Sequence, residues 1–333
     1  MAHIKVIMEK KTKKIHKKKT LKVIFMGSSE FSVVIFQGLL KKGYEPVLVV
    51  CPPDKPTGRK NIITPPPLKA SARRHGILVS QPFRVKEIKE EIARIRPDLI
   101  IVAAYGYYIP KEIFEIPKHG TLNVHPSLLP KFRGPSPIQT AIMEGELNAG
   151  ATIIKIDQEI DHGPIIAKRA VAMPKKVYSK DLEQKLAELG ADLLVEILPK
   201  WVNKKIKETP QDDTAASFTN IIKKEDGKID WKNSTAQRIE RKVRALHPWP
   251  SSYTYWQKPG KEKQMIKIIE AEPIMSAQGK IAGKVRSQKE DKIVVQCKDS
   301  SLVVKKLQLE GRIPMTDKEF VLGYEGFIGT VLK

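Results

Sequence analysis

Short apolar runs alternate with stretches of helical spacing up to about residue 200 of the chain. Runs typical of buried strands lie at residues 22–26, 46–51, 98–104, 121–125, 151–156 and 165–171. Between them, Val85–Arg96 has helical spacing, and leucines recur at that spacing from Leu182 to Leu193, in a helix predicted to end near Pro199. Strands that alternate with helices predict an α/β domain with a mainly parallel, Rossmann-like sheet.

Residue types that favour helix ends accompany this pattern. Gly43 follows the first helical stretch, where a glycine commonly ends a helix. Ser136–Gln139 and Ser234–Gln237 match the capping box that begins a helix, the first with proline at the first helical position. The second of these helices has one apolar stripe, formed by Ala236, Ile239, Val243 and Leu246.

Three segments interrupt the alternation. Pro52–Leu68 is rich in proline and lacks periodicity, which predicts a long functional loop. Trp201–Thr219 is polar and is predicted to be a linker, and short β-type runs follow it at 264–269, 281–285, 293–296 and 302–307. We therefore expect a basic, disordered tail (1–20), an α/β domain (21–203), a linker (204–219) and a small β-barrel, OB-like domain (220–333).

Charge and cysteine content narrow the class of protein. The formal net charge is +23, and the first twenty residues alone carry eight lysines and one glutamate. A large positive surplus favours a polyanionic partner, although general basicity of the source proteome explains it about as well. Cys51 and Cys297 are too few for a disulfide framework, and neither a secretory signal nor a membrane span is present, so we expect a cytoplasmic protein with no membrane partner.

Candidate chemistry lies where the strand at 121–125 ends. Asn123 and His125 are two residues apart, so their side chains leave the same face of the strand. An amide can donate to an oxyanion and an imidazole can move a proton, and a carboxylate from the loop Asp157–Asp161 can favour the protonated imidazole. Without further information, an Asn-x-His pair on a strand is more often an ordinary hydrogen-bonded pair than a catalytic one, and acids in such a turn usually cap or solvate it.

The motif that contains these residues resembles a known family. Asn123–Gly134 reads Asn-Val-His-Pro-Ser-Leu-Leu-Pro-Lys-Phe-Arg-Gly and is followed by Asp161-His-Gly-Pro, which is similar to the signature of the folate-dependent formyltransferases. Val102–Pro110 and Phe25–Phe31 resemble two further loops of that family. The chain departs from the family pattern at Ser28-Ser29 and at His162, which could perturb the charge around Asp161.

The resemblance implies a formyltransferase fold and a role for each residue. Asn123 would hold the oxygen of the tetrahedral adduct, His125 would move the proton, and Asp161 would hold the imidazolium. The formyl donor would be 10-formyltetrahydrofolate, and no metal is expected. Residues implied to line the folate pocket are Ser127, Leu128, Leu129 and Pro130, with Tyr105 and Gly106 reading the pterin.

Other segments resemble the branch of the family that acts on tRNA. These are Pro53–Arg59, Glu225–Trp231 and Arg244–Pro250. The implied formyl acceptor is the amino group of methionine on initiator tRNA, with Phe31 and the residues after Gly27 as candidates for the methionine slot. Residues expected to contact tRNA phosphates are Lys55, Arg59, Lys60, Arg238, Arg241, Lys242 and Arg244.

Other classes of protein fit less well. The chain has no Gly-x-Gly-x-x-Gly motif, no His-Glu-x-x-His spacing, no Gly-x-Ser-x-Gly elbow and no P-loop. Two alternatives stay open: a formyltransferase of the same family that acts on a sugar nucleotide or a ribonucleotide amine, and a non-catalytic RNA-binding protein on this scaffold. We expect a monomer.

Overall fold

The computed structural model describes residues 21–58, 60–258, 260–275, 279, 281–288 and 292–333. The predicted basic tail (1–20) and Arg59 lie outside the described residues. A seven-stranded sheet forms the first part of the molecule, in the order β5-β2-β1-β6-β7-β8-β9. Its strands are β1 (Val23–Gly27), β2 (Pro46–Val50), β5 (Val79–Ser80), β6 (Leu99–Ala103), β7 (Thr121–His125), β8 (Asn148–Lys155) and β9 (Ile165–Ala172). The first five in this order are parallel, and β8 and β9 are antiparallel, so the mainly parallel sheet is confirmed.

Apolar layers cover both faces of this sheet. Alternate residues of β1 point to opposite sides, so Val23 and Phe25 join one buried cluster while Ile24 and Met26 join the other. The surrounding helices are α1 (Glu30–Lys41), α2 (Pro67–Arg74), α3 (Lys89–Ile95), α4 (Lys111–Phe114), α5 (Pro137–Glu144) and α6 (Ser179–Val202), with a 3₁₀ turn at Val85–Ile88.

The segment predicted to be a loop between Pro52 and Leu68 contains regular structure. β3 (Lys55–Thr57) and β4 (Ile62–Thr64) form a two-stranded antiparallel hairpin, and α2 begins at Pro67. At the base of the hairpin, the buried ammonium of Lys69 lies 2.7 Å from a carboxylate oxygen of Asp54. The absence of apolar periodicity misled the sequence interpretation, because all six strand residues of the hairpin are exposed.

One predicted helix end and one predicted cap are wrong, whereas α5 begins at Pro137 as expected. Helix α6 continues through Pro199 to Val202, because Ile197, Leu198 and Trp201 are buried and their packing outweighs the hydrogen bond that proline removes. The side chain of Ser136 does not cap α5; its hydroxyl donates instead to the carbonyl oxygen of Asn220.

A third buried cluster lies between residues 229 and 332. The strands around it are β10 (Ser252–Gln257), β11 (Lys263–Ile274), β12 (Val285–Gln288), β13 (Lys292–Gln296), β14 (Ser301–Leu309) and β15 (Met315–Thr316). They pair antiparallel in the order β10-β11-β14-β13-β12, with β15 on β14. Residues 329–333 hydrogen-bond to the start of β12 on one side and to Tyr255 of β10 on the other, which closes the sheet into a small barrel. The predicted strand at 281–285 is instead a turn at Gly283 (φ +78°) that leads into β12.

Helix α7 (Ala236–Leu246) joins the two parts of the molecule, and α8 (Asp317–Gly323) caps the barrel cluster. The predicted stripe of α7 is confirmed as buried, but Thr235, and not Ser234, is the N-cap, since its hydroxyl accepts from the Arg238 amide. Two short 3₁₀ turns, Asp213–Ala215 and Glu225–Gly227, precede α7. Within the described parts of the chain, no helix is both long and apolar enough to cross a bilayer.

Candidate active site

Three polar side chains meet beyond the carboxyl end of β7. The amide nitrogen of Asn123 donates to Asp161 Oδ1 over 3.1 Å. The Nδ1 atom of His125 lies 3.5 Å from Asp161 Oδ2. The structure therefore brings together the three residues that the sequence motif singled out, on a buried strand and the loop that follows β8.

The loop that carries Asp161 is fixed by backbone contacts. The Gly134 amide donates to Asp161 Oδ2 over 2.9 Å, and Asp161 itself has a left-handed backbone with φ +52°. Two residues later, a Cβ atom on Gly163 would overlap the carbonyl oxygen of Lys155, so only glycine fits there. These contacts aim the carboxylate at the end of β7.

The imidazole of His125 is buried, and one of its nitrogens is anchored. Nε2 lies 3.0 Å from the carbonyl oxygen of Phe132, so the N–H on Nε2 donates to that carbonyl. Phe132 has φ +63°, and its own amide donates to the hydroxyl of Ser217 over 2.9 Å. Because Nε2 is engaged, Nδ1 is the ring nitrogen left to exchange a proton beside Asp161.

His162, the departure from the family pattern, turns towards other carboxylates. Its Nδ1 lies 2.6 Å from Asp157 Oδ2, and its Nε2 lies 3.6 Å from Asp213 Oδ2. The hydrogen bond with Asp157 raises the pKa of His162 above its ordinary value of 6.5. The charge of His162 is thus paired with Asp157 and Asp213, and the side chain of Asp161 keeps its contacts with Asn123 and His125.

A cavity of about 1070 Å³ opens in front of these residues. Tyr105 and Gly106 line it, as expected from the sequence. Ser127–Pro130 do not line it: Leu129 is fully buried, and the hydroxyl of Ser127 donates to the Lys131 carbonyl. Their backbone packs on β8 instead: the Leu129 amide donates to the Thr152 hydroxyl, which donates to the Ser127 carbonyl. The lining comes from Tyr107–Ile109, which continue the segment that resembles a loop of the family, and from the loop Ile156–Asp161, which sequence reasoning had not assigned to the folate pocket.

The residues considered for the methionine slot lie in different places, some at the cavity and one in the core. Phe31 is buried in the core beneath the sheet, with only 3% of its surface exposed, so it does not reach the cavity. Ser28 and Ser29, which follow Gly27, do line it. Three exposed apolar side chains at the cavity were not recognised from the sequence, because only the folded structure shows that they are not part of the core: Tyr108, Ile160 and Ile221.

The segment predicted to be a linker also contributes to the site. The side chain of Gln211 donates to the carbonyl oxygens of Asp161 and Gly163, each over 2.8 Å. The buried guanidinium of Arg133 donates to Gln211 and to Asp213. No signal in the sequence could have found Gln211, because a lone glutamine among polar residues has no periodicity or spacing to mark it.

The basic residues expected to contact tRNA fall into two groups. Lys55 and Lys60 are exposed on or next to the β3–β4 hairpin, and Lys55 Nζ lies 5.2 Å from the ring centre of Tyr107 beside the cavity. Of the four basic residues on α7, only Arg238 is exposed. The other three are engaged within the chain: Arg241 with the Glu144 carbonyl, Lys242 with the Lys228 carbonyl, and Arg244 with Glu240 and the Val177 carbonyl.

Metal-binding residues do not cluster in the part of the chain that the structure describes: no group of three or more His, Cys, Asp or Glu side chains could hold an ion there. Cys51 and Cys297 are both buried free thiols, and burial raises the pKa of each to about 12.

Comparisons with known proteins identify the family of the chain. A family model described as "Formyl transferase" matches residues 19–198, and "Formyl transferase, C-terminal domain" matches residues 221–325. A methionyl-tRNA formyltransferase of Chloroflexus aggregans is 44% identical over 75% of this chain and 80% of its own length. One from Halalkalibacterium halodurans is 38% identical over 91% of this chain and 95% of its own.

Solved structures share the fold at low sequence identity. HypX from Aquifex aeolicus, in complex with tetrahydrofolic acid, matches 93% of this chain with a TM-score of 0.61 and 19% identity, and this chain spans 48% of that longer protein. An N-formyltransferase from Helicobacter canadensis, in complex with folinic acid and dTDP-3-aminofucose, matches 85% of this chain and 98% of its own, with a TM-score of 0.62 and 20% identity. The chain therefore belongs to the formyl transferase family, and within it to the methionyl-tRNA formyltransferases.

Proposed function

We propose that this chain transfers the formyl group of 10-formyltetrahydrofolate to the free α-amino group of methionine esterified to initiator tRNA, giving N-formylmethionyl-tRNA for translation initiation. The observation that carries the proposal is the approach of Asn123, His125 and Asp161 to one another at the end of a large cavity. Relatives that match most of the chain bear the name of this activity.

Asn123 is proposed to stabilise the negative charge that develops on the formyl oxygen. Its amide nitrogen carries two hydrogens, and only one of them is used by Asp161. The second is free to donate to the oxygen when the amine adds to the formyl carbon. A donor already held in place by Asp161 needs no reorganisation during the reaction, which makes it effective.

His125 is proposed to carry the proton that must move during transfer. As the new N–C bond forms, the attacking amine loses a proton, and the departing N10 of the folate gains one when the old C–N bond breaks. With its Nε2–H bound to the Phe132 carbonyl, His125 takes and returns that proton at Nδ1. The carboxylate of Asp161, 3.5 Å away, stabilises the imidazolium formed between the two steps.

The cavity has the size and lining that a folate donor needs. Its volume of about 1070 Å³ is at the upper end of pockets for ligands of this size. Tyr105–Ile109 supply an apolar wall with backbone groups, and the polar end carries Asn123 and Asp161. These residues would hold 10-formyltetrahydrofolate with its formyl group towards Asn123.

The tRNA is proposed to lie across the basic hairpin and the C-terminal domain (220–333). Exposed Lys55 lies beside Tyr107 of the cavity lining, Lys60 is exposed between β3 and β4, and Arg238 is exposed on α7. RNA is bound largely through phosphates, which suits such a surface. We expect the protein to act as a monomer, since one chain holds all three site residues, and in the cytoplasm, where its free thiols would stay reduced.

The proposal is tested by incubating the chain with 10-formyltetrahydrofolate and charged initiator tRNA and measuring N-formylmethionine. We expect formylation by the wild-type protein and none above background by an Asn123→Ala/His125→Ala double variant. Equal product from both proteins would overturn the assignment. Tight tRNA binding without any transfer would favour a non-catalytic RNA-binding protein, and transfer only to an amino sugar nucleotide would favour that branch of the family.

A further inference from the structure

We propose that Gln211 is a positioning residue for Asp161, and that the segment between the two domains is thereby part of the catalytic apparatus. The inference rests on the proposed function, because it concerns how the carboxylate beside His125 is held in place. Gln211 touches neither the cavity nor the three reacting side chains directly. It acts through the backbone on which Asp161 stands.

Every hydrogen-bonding atom of the Gln211 amide is used. Its Nε2 donates one hydrogen to the carbonyl oxygen of Asp161 and the other to that of Gly163, each over 2.8 Å. Its Oε1 accepts from two nitrogens of Arg133, over 3.1 and 3.0 Å. An amide whose donors and acceptor are all satisfied has one orientation, so it fixes the positions of both carbonyls.

The backbone at Asp161 needs this support. Its φ of +52° lies in the left-handed region, which side-chain-bearing residues seldom adopt without external contacts. A Cβ atom on Gly163 would overlap the Lys155 carbonyl oxygen, so the turn is closed on one side. Gln211 closes the other side, and Asp161 Oδ1 and Oδ2 are left pointing at Asn123 and towards His125.

The anchor beneath Gln211 is itself rigid. Arg133 is 3% exposed, and its guanidinium also lies 2.7 Å from Asp213 Oδ1. Arg133 follows Phe132, whose carbonyl oxygen anchors His125 Nε2. The residues that hold His125 and Asp161 are therefore connected through the backbone of Phe132 and Arg133 and through the side chains of Arg133 and Gln211. A misplacement of about 1 Å between reacting groups can lower turnover by roughly 10²-fold.

Two variants separate positioning from simple folding. Gln211→Ala removes the amide, whereas Gln211→Glu keeps an acceptor for Arg133 but replaces the two donors with an oxygen that repels the Asp161 and Gly163 carbonyls. We expect both to lower kcat by roughly 10- to 100-fold while the KM values for folate and tRNA change little and the Tm of Gln211→Glu stays near that of the wild type. Gln184→Ala is the matched control, because that exposed glutamine bonds only within α6, to Glu188, and should leave kcat unchanged.

A double-variant cycle with Asp161→Asn completes the test. If Gln211 acts through Asp161, Gln211→Ala should cost much less in single-turnover rate when Asp161 is already replaced. An equal loss in both backgrounds, or a loss confined to KM or Tm, would overturn the proposal. Amide hydrogen exchange of residues 157–164 gives a readout that does not depend on activity: it should accelerate in both Gln211 variants and not in Gln184→Ala. Failure of the wild type to formylate, with the exchange result as expected, would count against the proposed function alone.

Discussion

The chemistry of the site depends on the contacts that hold the Asp161 carboxylate in place. Its two carboxylate oxygens are shared among the Asn123 amide, the Gly134 amide and the His125 ring. Two of these partners keep a hydrogen-bonding position that Asp161 does not fully occupy: the second hydrogen on the Asn123 amide and Nδ1 of His125. These positions face the cavity, where a formyl carbon and an amine can meet.

Replacing Asn123 by alanine should affect turnover far more than binding. The donor to the formyl oxygen contributes mainly when charge develops there, so we expect Asn123→Ala to lower kcat by about 10²- to 10³-fold. The Kd for a tetrahydrofolate ligand, measured by fluorescence or calorimetry, should change little. Asn203→Ala is a suitable control, since that amide is exposed and bonds only to the Pro199 carbonyl. A large rise in Kd with unchanged kcat would contradict the role of Asn123.

His162 should make the stability of the protein depend on pH. Its pKa is raised in the folded state, chiefly by the hydrogen bond with Asp157. A raised folded-state pKa means that the stabilisation is complete below the unfolded value, near 6.5, and is lost as the pH rises through the folded-state pKa. Urea unfolding of wild type and His162→Gln should therefore differ most at the acidic end of this window. A difference that grows as the pH rises would refute this linkage.

Residues that a regular pattern connects were predictable, and residues that only tertiary contacts connect were not. Asn123 and His125 share a face because side chains alternate along a strand, and the family motif supplied Asp161. Gln211 reaches Asp161 across 50 positions of sequence, so no local pattern marks it. Ser127–Pro130 belong to the motif, yet they bond to Lys131 and to Thr152 of β8 and do not line the cavity.

At the level of helices and strands, exposure decided which predictions held. Several strands were confirmed within one or two residues, as for β7 and β9. However, β8 begins three residues earlier than predicted, β11 ends five residues later, and β10 was not predicted. The β3–β4 hairpin was not predicted, because none of its strand residues is buried and they show no apolar pattern. The predicted end of α6 was too early, because the sequence does not show that Trp201, beyond Pro199, is buried. Tertiary packing, which sequence patterns record only indirectly, accounts for the error at α6.

The basic residues of α7 should divide into structural and exposed ones. Arg244 forms a two-pronged ion pair with Glu240, at 2.5 and 2.9 Å, and donates to the Val177 carbonyl, with 13% of its side chain exposed. We expect Arg244→Gln to lower the free energy of unfolding by about 2 to 4 kcal/mol, because Glu240 is left buried without its partner. Denaturant unfolding measures this change.

Arg238→Gln on the same helix is the matched control. The side chain is exposed, so its effect on unfolding should stay within about 0.5 kcal/mol, while its effect on tRNA affinity should exceed that of an uncharged surface change. Equal and small stability effects of the two substitutions would show that the Arg244 contacts contribute little.

At the scale of the whole molecule, the apolar core of the α/β domain and that of the barrel are connected by the segment 204–219, which also contributes Gln211 to the site. The α/β cluster and the barrel cluster are bridged by α7 and by polar contacts such as those of Tyr178 with the Ile269 carbonyl and Ser179 with the His247 carbonyl. The linker packs along residues 130–136 with backbone hydrogen bonds to Pro130 and Arg133. This arrangement suits a substrate that is large enough to contact both domains at once.

Binding of the acceptor should therefore depend steeply on salt. With a net charge of +23, a protein that contacts about six phosphates should lose roughly 10³-fold in tRNA affinity between about 50 and 200 mM salt, because each contact releases condensed counterions. A sugar nucleotide, with its few charges, should bind with a much shallower slope. Lys55→Gln/Lys60→Gln should reduce the slope of log affinity against log salt by about two. Lys41→Gln/Lys42→Gln should leave the slope unchanged, because these exposed lysines precede β2 whereas the hairpin follows the other end of that strand. Filter binding of methionyl-tRNA over a salt series measures these slopes, and a shallow slope for the wild type would mean that the positive surface does not contact the acceptor.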